Sequence, residues 1–126
     1  MQFRGMAQIL VVDDDPDLNK LIALILRVDG YDVRQAAEGE TALRMVQESA
    51  PDLILLDMMM PGMSGIDVAR ALHDTPQTTH IPVVFCSAKC DQDSYAEGLA
   101  IPQVVDYVFK PFAPQDLLSR LHNVLH

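Results

Sequence analysis

At positions 53–62 the sequence reads LILLDMMMPG, and in this stretch four consecutive apolar residues are followed directly by Asp57. An unbroken apolar run is typical of a strand that is covered on both faces, as the strands of a parallel sheet are. The Pro61-Gly62 pair that follows favours a turn. The stretch therefore predicts a buried parallel strand that delivers one carboxylate to its carboxyl end.

Two other apolar runs end in charged residues in the same way. Residues 9–12 precede Asp13, Asp14 and Asp15, and residues 104–109 precede Lys110. In open α/β sheets, ligands bind in the crevice beyond the carboxyl ends of the strands. The acidic residues of two strands and the lysine of a third are therefore expected to line one pocket.

The predicted pocket requires a cation. Crowded carboxylates repel one another and raise the pKa of one of them unless a positive charge neutralises them. A ligand set made only of oxygen atoms suits a hard divalent ion such as Mg²⁺. A phosphoryl group bridged by that ion could then join the site.

Amphipathic segments alternate with the apolar runs along the whole chain. Asp17 is predicted to cap the first helix and Ser64 the third, because short polar side chains accept hydrogen bonds from the free amides of a first helical turn. The pattern predicts five βα units in one domain, with strands at about 9–12, 31–35, 53–56, 81–87 and 104–109 and helices at about 17–29, 38–49, 64–74, 91–99 and 114–125.

The composition excludes several classes of protein. Hydrophobic residues make up 49% of the 126 residues, which is incompatible with a disordered chain. No apolar stretch reaches the length of a membrane span, and residues 1–8 lack the apolar core of a signal peptide, so a cytoplasmic protein without membrane contact is expected. The net charge of −9 argues against direct binding to nucleic acid, because phosphate backbones require a basic surface.

The sulfur-containing residues and the histidines show no spacing typical of a metal site or of a disulfide framework. Cys86 lies in an apolar run and is interpreted as a small buried hydrophobic residue, whereas Cys90 lies in a polar loop. Met58 and Met60 are interpreted as packing residues. The four histidines are interpreted as surface residues.

Taken in order, these motifs resemble the receiver domain of two-component response regulators over positions 9–124. The resemblance implies a flavodoxin-like (βα)5 fold, a doubly wound five-stranded parallel sheet with strand order 2-1-3-4-5, as in the chemotaxis-Y-like proteins. It also implies that residues 1–126 form a single receiver domain, with residues 1–7 as an N-terminal extension and no effector domain. The motifs that carry it are Asp13-Asp14, Asp57, Pro61-Gly62, Ser64-Gly65, Ser87-Ala88, Tyr107 and Lys110-Pro111-Phe112.

The resemblance assigns roles to the acidic residues of the pocket. It implies that Asp57 is the phosphoacceptor, which takes a phosphoryl group from a phosphohistidine of a partner protein. Asp13 and Asp14 match the pair that binds Mg²⁺, with Asp14 as the expected direct ligand. The backbone carbonyl of Met59 is expected to add a further ligand.

The resemblance also assigns the cation and the hydroxyl. Ser87 is expected to donate a hydrogen bond to a phosphoryl oxygen, and Lys110 to pair with Asp57 or with the phosphoryl group, aimed by a cis bond to Pro111. Phosphoryl transfer needs its charge spread over a metal, a cation and hydrogen-bond donors, so the physical argument agrees. Such a domain catalyses only its own phosphorylation and dephosphorylation and is a signalling switch rather than a turnover enzyme.

Partners and the switch follow from the same resemblance. A sensor histidine kinase or a histidine phosphotransfer protein is the implied donor, and a downstream protein or effector domain the implied target, with the oligomeric state open. The fourth helix, fifth strand and fifth helix are expected to form the output surface. Ser87 is expected to move toward the phosphoryl group, and Tyr107 to turn inward into the vacated space. Met59 and Lys89 flank the path of an attacking water and are expected to tune the lifetime of the phosphoryl group.

Residues 98–104 depart from the family pattern. They lack the usual lead-in to the fifth strand, and Pro102 must end any helix there. The fourth helix is therefore expected to be short, shifted or irregular. Because that helix belongs to the implied output surface, partner choice and dimer mode stay open.

Two other classes of function are open at this point. Asp13-x-Asp15 after a strand also resembles the nucleophile motif of haloacid-dehalogenase-type phosphatases, in which Asp13 would be phosphorylated and the protein would be a hydrolase. Such enzymes usually have a longer chain, and they would leave the stretch around Asp57 unexplained. A receiver-like fold that serves as a non-phosphorylated interaction module is disfavoured because all the expected site residues are present.

Overall fold

In the computed structural model, residues 7–88 and 91–126 are described, so the expectations for residues 1–6, Lys89 and Cys90 lie outside the described residues. Within the described ranges, strands and helices alternate as predicted. The elements are β1 (Gln8–Val12), α1 (Pro16–Val28), β2 (Asp32–Ala36), α2 (Gly39–Glu48), β3 (Leu53–Leu56), α3 (Gly65–Asp74), β4 (Val83–Ala88), α4 (Gln92–Leu99), β5 (Val104–Lys110) and α5 (Pro114–Leu125).

The strands form one parallel sheet in the order β2-β1-β3-β4-β5, which confirms the expected flavodoxin-like topology. Successive side chains of a strand point to opposite faces. Leu10 and Val12 of β1 therefore join the apolar layer under α2 and α3, whereas Ile9 and Val11 join the layer under α1 and α5. Both faces of the sheet are buried, as the unbroken apolar runs predict.

The first helix begins in a different way from the prediction. Asp15, not Asp17, is the N-cap, and its side chain accepts hydrogen bonds from the amides of Asp17 and Leu18. Pro16 occupies the first helical position, where its missing N–H has no cost, so the helix starts one residue after Asp15. The predicted cap of α3 is confirmed, because Ser64 accepts a hydrogen bond from the amide of Asp67 and the Asp67 carboxylate accepts one from the Ser64 amide.

Two strands start later than predicted. The amide of Tyr31 donates to the carbonyl of Leu26 and closes the turn after α1, so β2 begins at Asp32. The amide of Ile81 likewise donates to the carbonyl of Thr78, and β4 begins at Val83. In both cases the apolar residue before the strand is buried without joining the sheet.

The unusual segment before β5 shortens α4 as expected. Helix α4 has 8 residues and ends at Leu99, and residues 101–103 form a turn. The pairing of β4 with β5 shifts by one residue, from Val83 opposite Val104 to Val84 opposite Asp106, which leaves Val105 as an extra residue. Among the described residues, no helix combines the length and the apolar character needed to cross a membrane.

Candidate functional site

The carboxyl ends of four neighbouring strands, β1, β3, β4 and β5, bring the predicted site residues together. Val12 of β1 lies opposite Leu56 of β3, so the residues that follow these two strands share one edge of the sheet. The amide of Asp57 donates to the carbonyl of Val12 at 2.9 Å, which fixes the end of β3 against β1. Ser87 lies in β4 and Lys110 ends β5 at the same edge.

Asp57 is held from three directions. Its carboxylate is 5% exposed, and its Oδ1 accepts a hydrogen bond from Ser87 Oγ at 2.9 Å and one from the amide of Met59 at 3.0 Å. Its Oδ2 lies 3.4 Å from the Nζ of Lys110. The hydroxyl, the amide and the ammonium around this buried carboxylate fix it in place.

Lys110 links the two buried acids of the site. Its Nζ lies 2.8 Å from Asp13 Oδ2 and 3.4 Å from Asp57 Oδ2. Burial disfavours the charged form of the lysine, but the hydrogen bond to Asp13 and the negative charges of Asp57 and Asp13 outweigh it and raise the pKa of Lys110. The lysine is therefore an ammonium at neutral pH. The Lys110–Pro111 peptide bond is cis, as expected.

Three carboxylates converge beside this lysine. Asp13, Asp14 and Asp57 each offer one oxygen, and these oxygens lie within 4.8 Å of one another. Asp13 is already engaged, because its Oδ1 accepts a hydrogen bond from the amide of Asp15 at 2.9 Å and its Oδ2 faces Lys110. Asp14 is exposed. One ammonium balances only part of this charge, so the donor set fits a divalent cation.

Of the residues around Asp57, some lie at the site and others pack beneath it or shape the backbone. Met58 and Met60 are buried, which confirms that they pack, whereas the Met59 side chain is exposed beside the site. A side chain at Gly65 would place its Cβ 2.2 Å from the carbonyl oxygen of Asp57, so α3 can approach the phosphoacceptor candidate only with glycine there. Asp15 serves as a helix cap.

Tyr107 lies inward, with 4% of its surface exposed. Its hydroxyl is 3.4 Å from the Sδ of Met58, and its ring centroid is 5.7 Å from that of Phe85 and 5.0 Å from that of Tyr95. The ring therefore fills space between β4 and α4, next to the strand that carries Ser87. The inward position is the one expected of the loaded switch, and the outward position stays a prediction.

Cys86 and the histidines behave as the sequence predicts. Cys86 is buried, and desolvation raises the pKa of its thiol to about 12, so the thiol is neutral at physiological pH. All four histidines are exposed. His122 lies 2.8 Å from Asp29 at the far end of α5, away from the acidic cluster.

Asn19 of the site was not predicted from the sequence. It is 5% exposed in α1, and its Nδ2 donates to the carbonyls of Asp13 and Ala36, both at 3.0 Å. A signal for it was present, because position 19 shares the buried face of the helix with Ile22 and Leu26 at spacings of three and seven. A polar residue on such a face indicates a specific buried partner.

A doubly wound parallel sheet with an acidic pocket, a lysine and a hydroxyl at its carboxyl edge defines a flavodoxin-like signalling domain of the chemotaxis-Y-like class. The sequence pattern of the family described as response regulator receiver domain matches residues 9–122. The chain therefore belongs to the response regulator receiver domain family, whose members are signalling domains of two-component systems rather than classical enzymes.

Individual relatives agree with this assignment. The chain is 44% identical to the DNA-binding response regulator MtrA of Mycolicibacterium smegmatis over 90% of this chain and 48% of that protein. It is 40% identical to the phosphate regulon transcriptional regulatory protein PhoB of Pseudomonas aeruginosa, over 93% of this chain and 51% of that protein. The solved structure of the chemotaxis protein CheY4 of Vibrio cholerae matches with a TM-score of 0.89 and 32% identity, covering 95% of this chain and 99% of that one. The chain spans about half the length of MtrA and PhoB.

Proposed function

We propose that this receiver domain accepts a phosphoryl group on Asp57 from a phosphohistidine, in a Mg²⁺-dependent reaction. The observation that carries the proposal is the Asp57 carboxylate held between the Ser87 hydroxyl and the Lys110 ammonium, beside two further acids. A carboxylate oxygen of Asp57 attacks phosphorus, the bond between phosphorus and the donor imidazole nitrogen breaks, and an acyl phosphate forms. The domain catalyses this transfer and the later hydrolysis on itself alone.

Each neighbouring residue has a part in that transfer. Lys110 is charged and lies against both buried acids, so it can offset the negative charge that the phosphoryl oxygens bring. Ser87 already donates to Asp57 and can redirect its hydroxyl to a phosphoryl oxygen. Lys110 is in place before the reaction, and a charge placed in advance stabilises a transition state with little reorganisation.

The cation would be held by Asp13, Asp14, Asp57 and the backbone carbonyl of Met59. When bound, Mg²⁺ neutralises charge on the phosphoryl oxygens and on the carboxylates. Asp14 is the proposed principal ligand, because it is exposed whereas both oxygens of Asp13 have partners within the protein. The Oδ2 of Asp57 also contacts the Nζ of Lys110.

The lifetime of the acyl phosphate is proposed to depend on Met59 and Lys89. Met59 is 61% exposed directly beside Asp57, where an apolar side chain can restrict the approach of water. Lys89, which lies two residues beyond Ser87 in sequence and outside the described residues, is proposed to have a similar role. Both residues are expected to tune hydrolysis without creating or removing the site.

An apolar groove next to Lys110 supports a protein as the phosphoryl donor. It has a volume of about 590 Å³ and opens between α1 and the start of α5, and Leu21, Leu24 and Val28 of α1 are exposed. Exposed apolar surface of this kind indicates a protein interface. We propose that a sensor histidine kinase or a histidine phosphotransfer protein docks here. The groove is lined by Leu18, Leu21, Ile25, Lys110, Pro111, Phe112 and Pro114.

The output surface is proposed to lie on α4, β5 and α5. Tyr95, Leu99, Val105 and Phe109 are exposed there, and the Tyr95 and Phe109 rings stack on each other with centroids 5.9 Å apart. The names of MtrA and PhoB describe DNA-binding and transcriptional proteins, so the expectation of no nucleic-acid contact is not confirmed. With a net charge of −9, we propose that any DNA contact belongs to a separate domain.

The phosphatase alternative is not favoured. It requires Asp13 as the nucleophile and would leave the arrangement of Ser87 and Lys110 around Asp57 unexplained. The match to the receiver domain family spans residues 9–122, which include Asp13 and Asp57. The non-phosphorylated interaction module is separated from the proposal by the labelling experiment that follows.

The proposal is tested by incubating the protein with acetyl phosphate or phosphoramidate, with and without Mg²⁺, beside Asp57→Asn. The wild type should gain one phosphoryl group, and only with Mg²⁺ present. This group should be lost at acid and alkaline pH. Asp57→Asn keeps the shape of the side chain and removes the nucleophilic charge, so it should remain unlabelled. Labelling of Asp57→Asn, or equal labelling without a divalent cation, would overturn the assignment.

A further inference from the structure

Asn19 ties three elements together at the acidic turn. Both of its amide hydrogens are used, since Nδ2 donates to the carbonyl of Asp13 at the end of β1 and to that of Ala36 at the end of β2, each at 3.0 Å. Its Oδ1 accepts a hydrogen bond from Gln35 Nε2 at 2.8 Å. The side chain is nearly fully buried in the first turns of α1.

The bond to the Asp13 carbonyl has a consequence for Asp14. That carbonyl belongs to the peptide group that joins the two residues, and a peptide group is planar. Holding its oxygen therefore fixes the plane from which the Asp14 backbone continues. Asp14 is exposed, so the direction of its main chain has a large part in placing its carboxylate beside Asp13 and Asp57.

We propose that Asn19 is a positioning residue for the divalent cation: it holds the Asp13–Asp14 peptide group in the orientation that directs the acidic pair toward Asp57. The inference rests on the proposed Mg²⁺-dependent function. Asn19 does not touch the cation and acts through the backbone of its ligands. Partners of metal ligands commonly change metal affinity when they are removed.

A matched control exists at the opposite edge of the sheet. Gln103 is also buried, and its Nε2 also donates to two backbone carbonyls, those of Thr78 at 3.0 Å and Ile81 at 2.8 Å. These groups lie at the amino ends of β4 and β5, far from the acidic cluster. Gln103→Met removes the same kind of hydrogen bonds as Asn19→Leu. If Asn19 has a purely structural role, the two changes should have similar effects on Mg²⁺ binding.

The test is to titrate wild type, Asn19→Leu and Gln103→Met with Mg²⁺ and to measure binding by calorimetry or NMR. The temperature is one at which circular dichroism shows all three proteins to be folded. Asn19→Leu should weaken Mg²⁺ binding about tenfold, and Gln103→Met by less than about twofold. Labelling of Asn19→Leu by acetyl phosphate should return toward the wild-type rate at saturating Mg²⁺. Unchanged affinity in Asn19→Leu, or equal weakening in both variants, would overturn the positioning role.

Gln35→Met provides a second variant if Asn19→Leu does not fold. Gln35 is only partly buried, and its replacement removes the bond to Asn19 Oδ1 while leaving Asn19 in place. We expect a few-fold weakening, below the roughly tenfold effect of a direct partner of the ligand backbone. Wild-type Mg²⁺ affinity in Gln35→Met would contradict the inference. Absence of Mg²⁺ binding by the wild type would instead remove the proposed function itself.

Discussion

At the scale of single residues, two adjacent aspartates of the site, Asp13 and Asp14, have different surroundings. Asp13 and Asp14 are adjacent acids, yet one is buried with partners on both oxygens and the other is exposed. The sequence predicts that both belong to one pocket, since both follow an apolar run. It does not show which one pairs with Lys110, because that depends on where β5 lies relative to β1.

The different surroundings of the two acids predict different effects on metal binding. Asp14→Ala should weaken Mg²⁺ binding more than Asp13→Ala, because Asp14 is exposed whereas both oxygens of Asp13 have partners within the protein. We expect a loss on the order of tenfold or more for Asp14→Ala. Calorimetric titration of the two variants and the wild type measures this directly. Equal losses would contradict the role of Asp14 as the principal ligand.

The raised pKa of Lys110 predicts a dependence of stability on pH. A lysine whose pKa is higher in the folded than in the unfolded state stabilises the fold below its ordinary pKa of 10.5, and this contribution is lost as the pH rises through the raised value. At neutral pH, Lys110→Met should lower the free energy of unfolding by about 2 kcal/mol, the range for a charged hydrogen bond. Urea unfolding of both proteins at neutral and strongly alkaline pH measures the difference.

The difference between wild type and Lys110→Met should shrink as the pH rises above 10.5 and through the raised pKa of Lys110, where the folded wild type loses the lysine proton. Groups common to both proteins cancel in this comparison. A difference that stayed constant into the alkaline range would mean that the lysine stabilises the site by packing rather than by charge.

At the scale of elements, boundaries follow local hydrogen bonds that the apolar pattern does not contain. The pattern located every helix and strand of the described residues, because most helices have a clear apolar period and strands such as β1 and β3 are unbroken apolar runs. Helix α4 has a weaker period and was indicated by its composition. The sequence-based prediction placed the cap of α1 at the wrong residue. Because Pro16 occupies the first helical position, the residue before it, Asp15, is the N-cap. The register shift in β5 had no signal in the sequence beyond the departure of residues 98–104 from the family pattern.

The cap assignment of α1 predicts a difference between two neighbouring acids. Asp15→Ala removes the acceptor of two helix amides and should lower the free energy of unfolding by about 1 kcal/mol. Asp17→Ala removes only a favourable charge near the helix N-terminus and should cost about 0.3 kcal/mol. Chemical denaturation in the absence of Mg²⁺ compares them. A larger loss for Asp17→Ala would restore the cap predicted from the sequence.

At the scale of the whole molecule, the alternation of apolar runs and amphipathic segments was enough to predict a five-unit α/β domain. The strand order came from the family resemblance, because periodicity does not specify which strands are neighbours. Bridging residues such as Asn19 and Gln103 could not be predicted, since their partners are backbone carbonyls of segments far away in sequence. The division into a single domain with an N-terminal extension remains a prediction, and the sequence predicts no particular oligomeric state.

The coupling between site and output surface predicts a change in Tyr107. Loading Asp57 adds about −1.5 to −2 charge and new acceptor oxygens, which should draw Ser87 toward them. We expect the inward, buried position of the Tyr107 ring to be more populated in the phosphorylated or beryllofluoride-loaded protein than in the free protein, and Ser87→Ala to weaken this response while Asp57 still reacts. NMR of the Tyr107 ring in both states measures it. The same ring position at full loading would rule the mechanism out.

The central claim is that Asp57, and neither Asp13 nor Asp14, carries the phosphoryl group. The most direct test is to label the wild-type protein with acetyl phosphate and Mg²⁺, reduce the acyl phosphate with borohydride, and locate the resulting homoserine by peptide mass spectrometry. The account predicts a single modified position, Asp57, in the peptide that follows β3. Modification of Asp13 would identify the phosphatase-type nucleophile instead and would contradict the account.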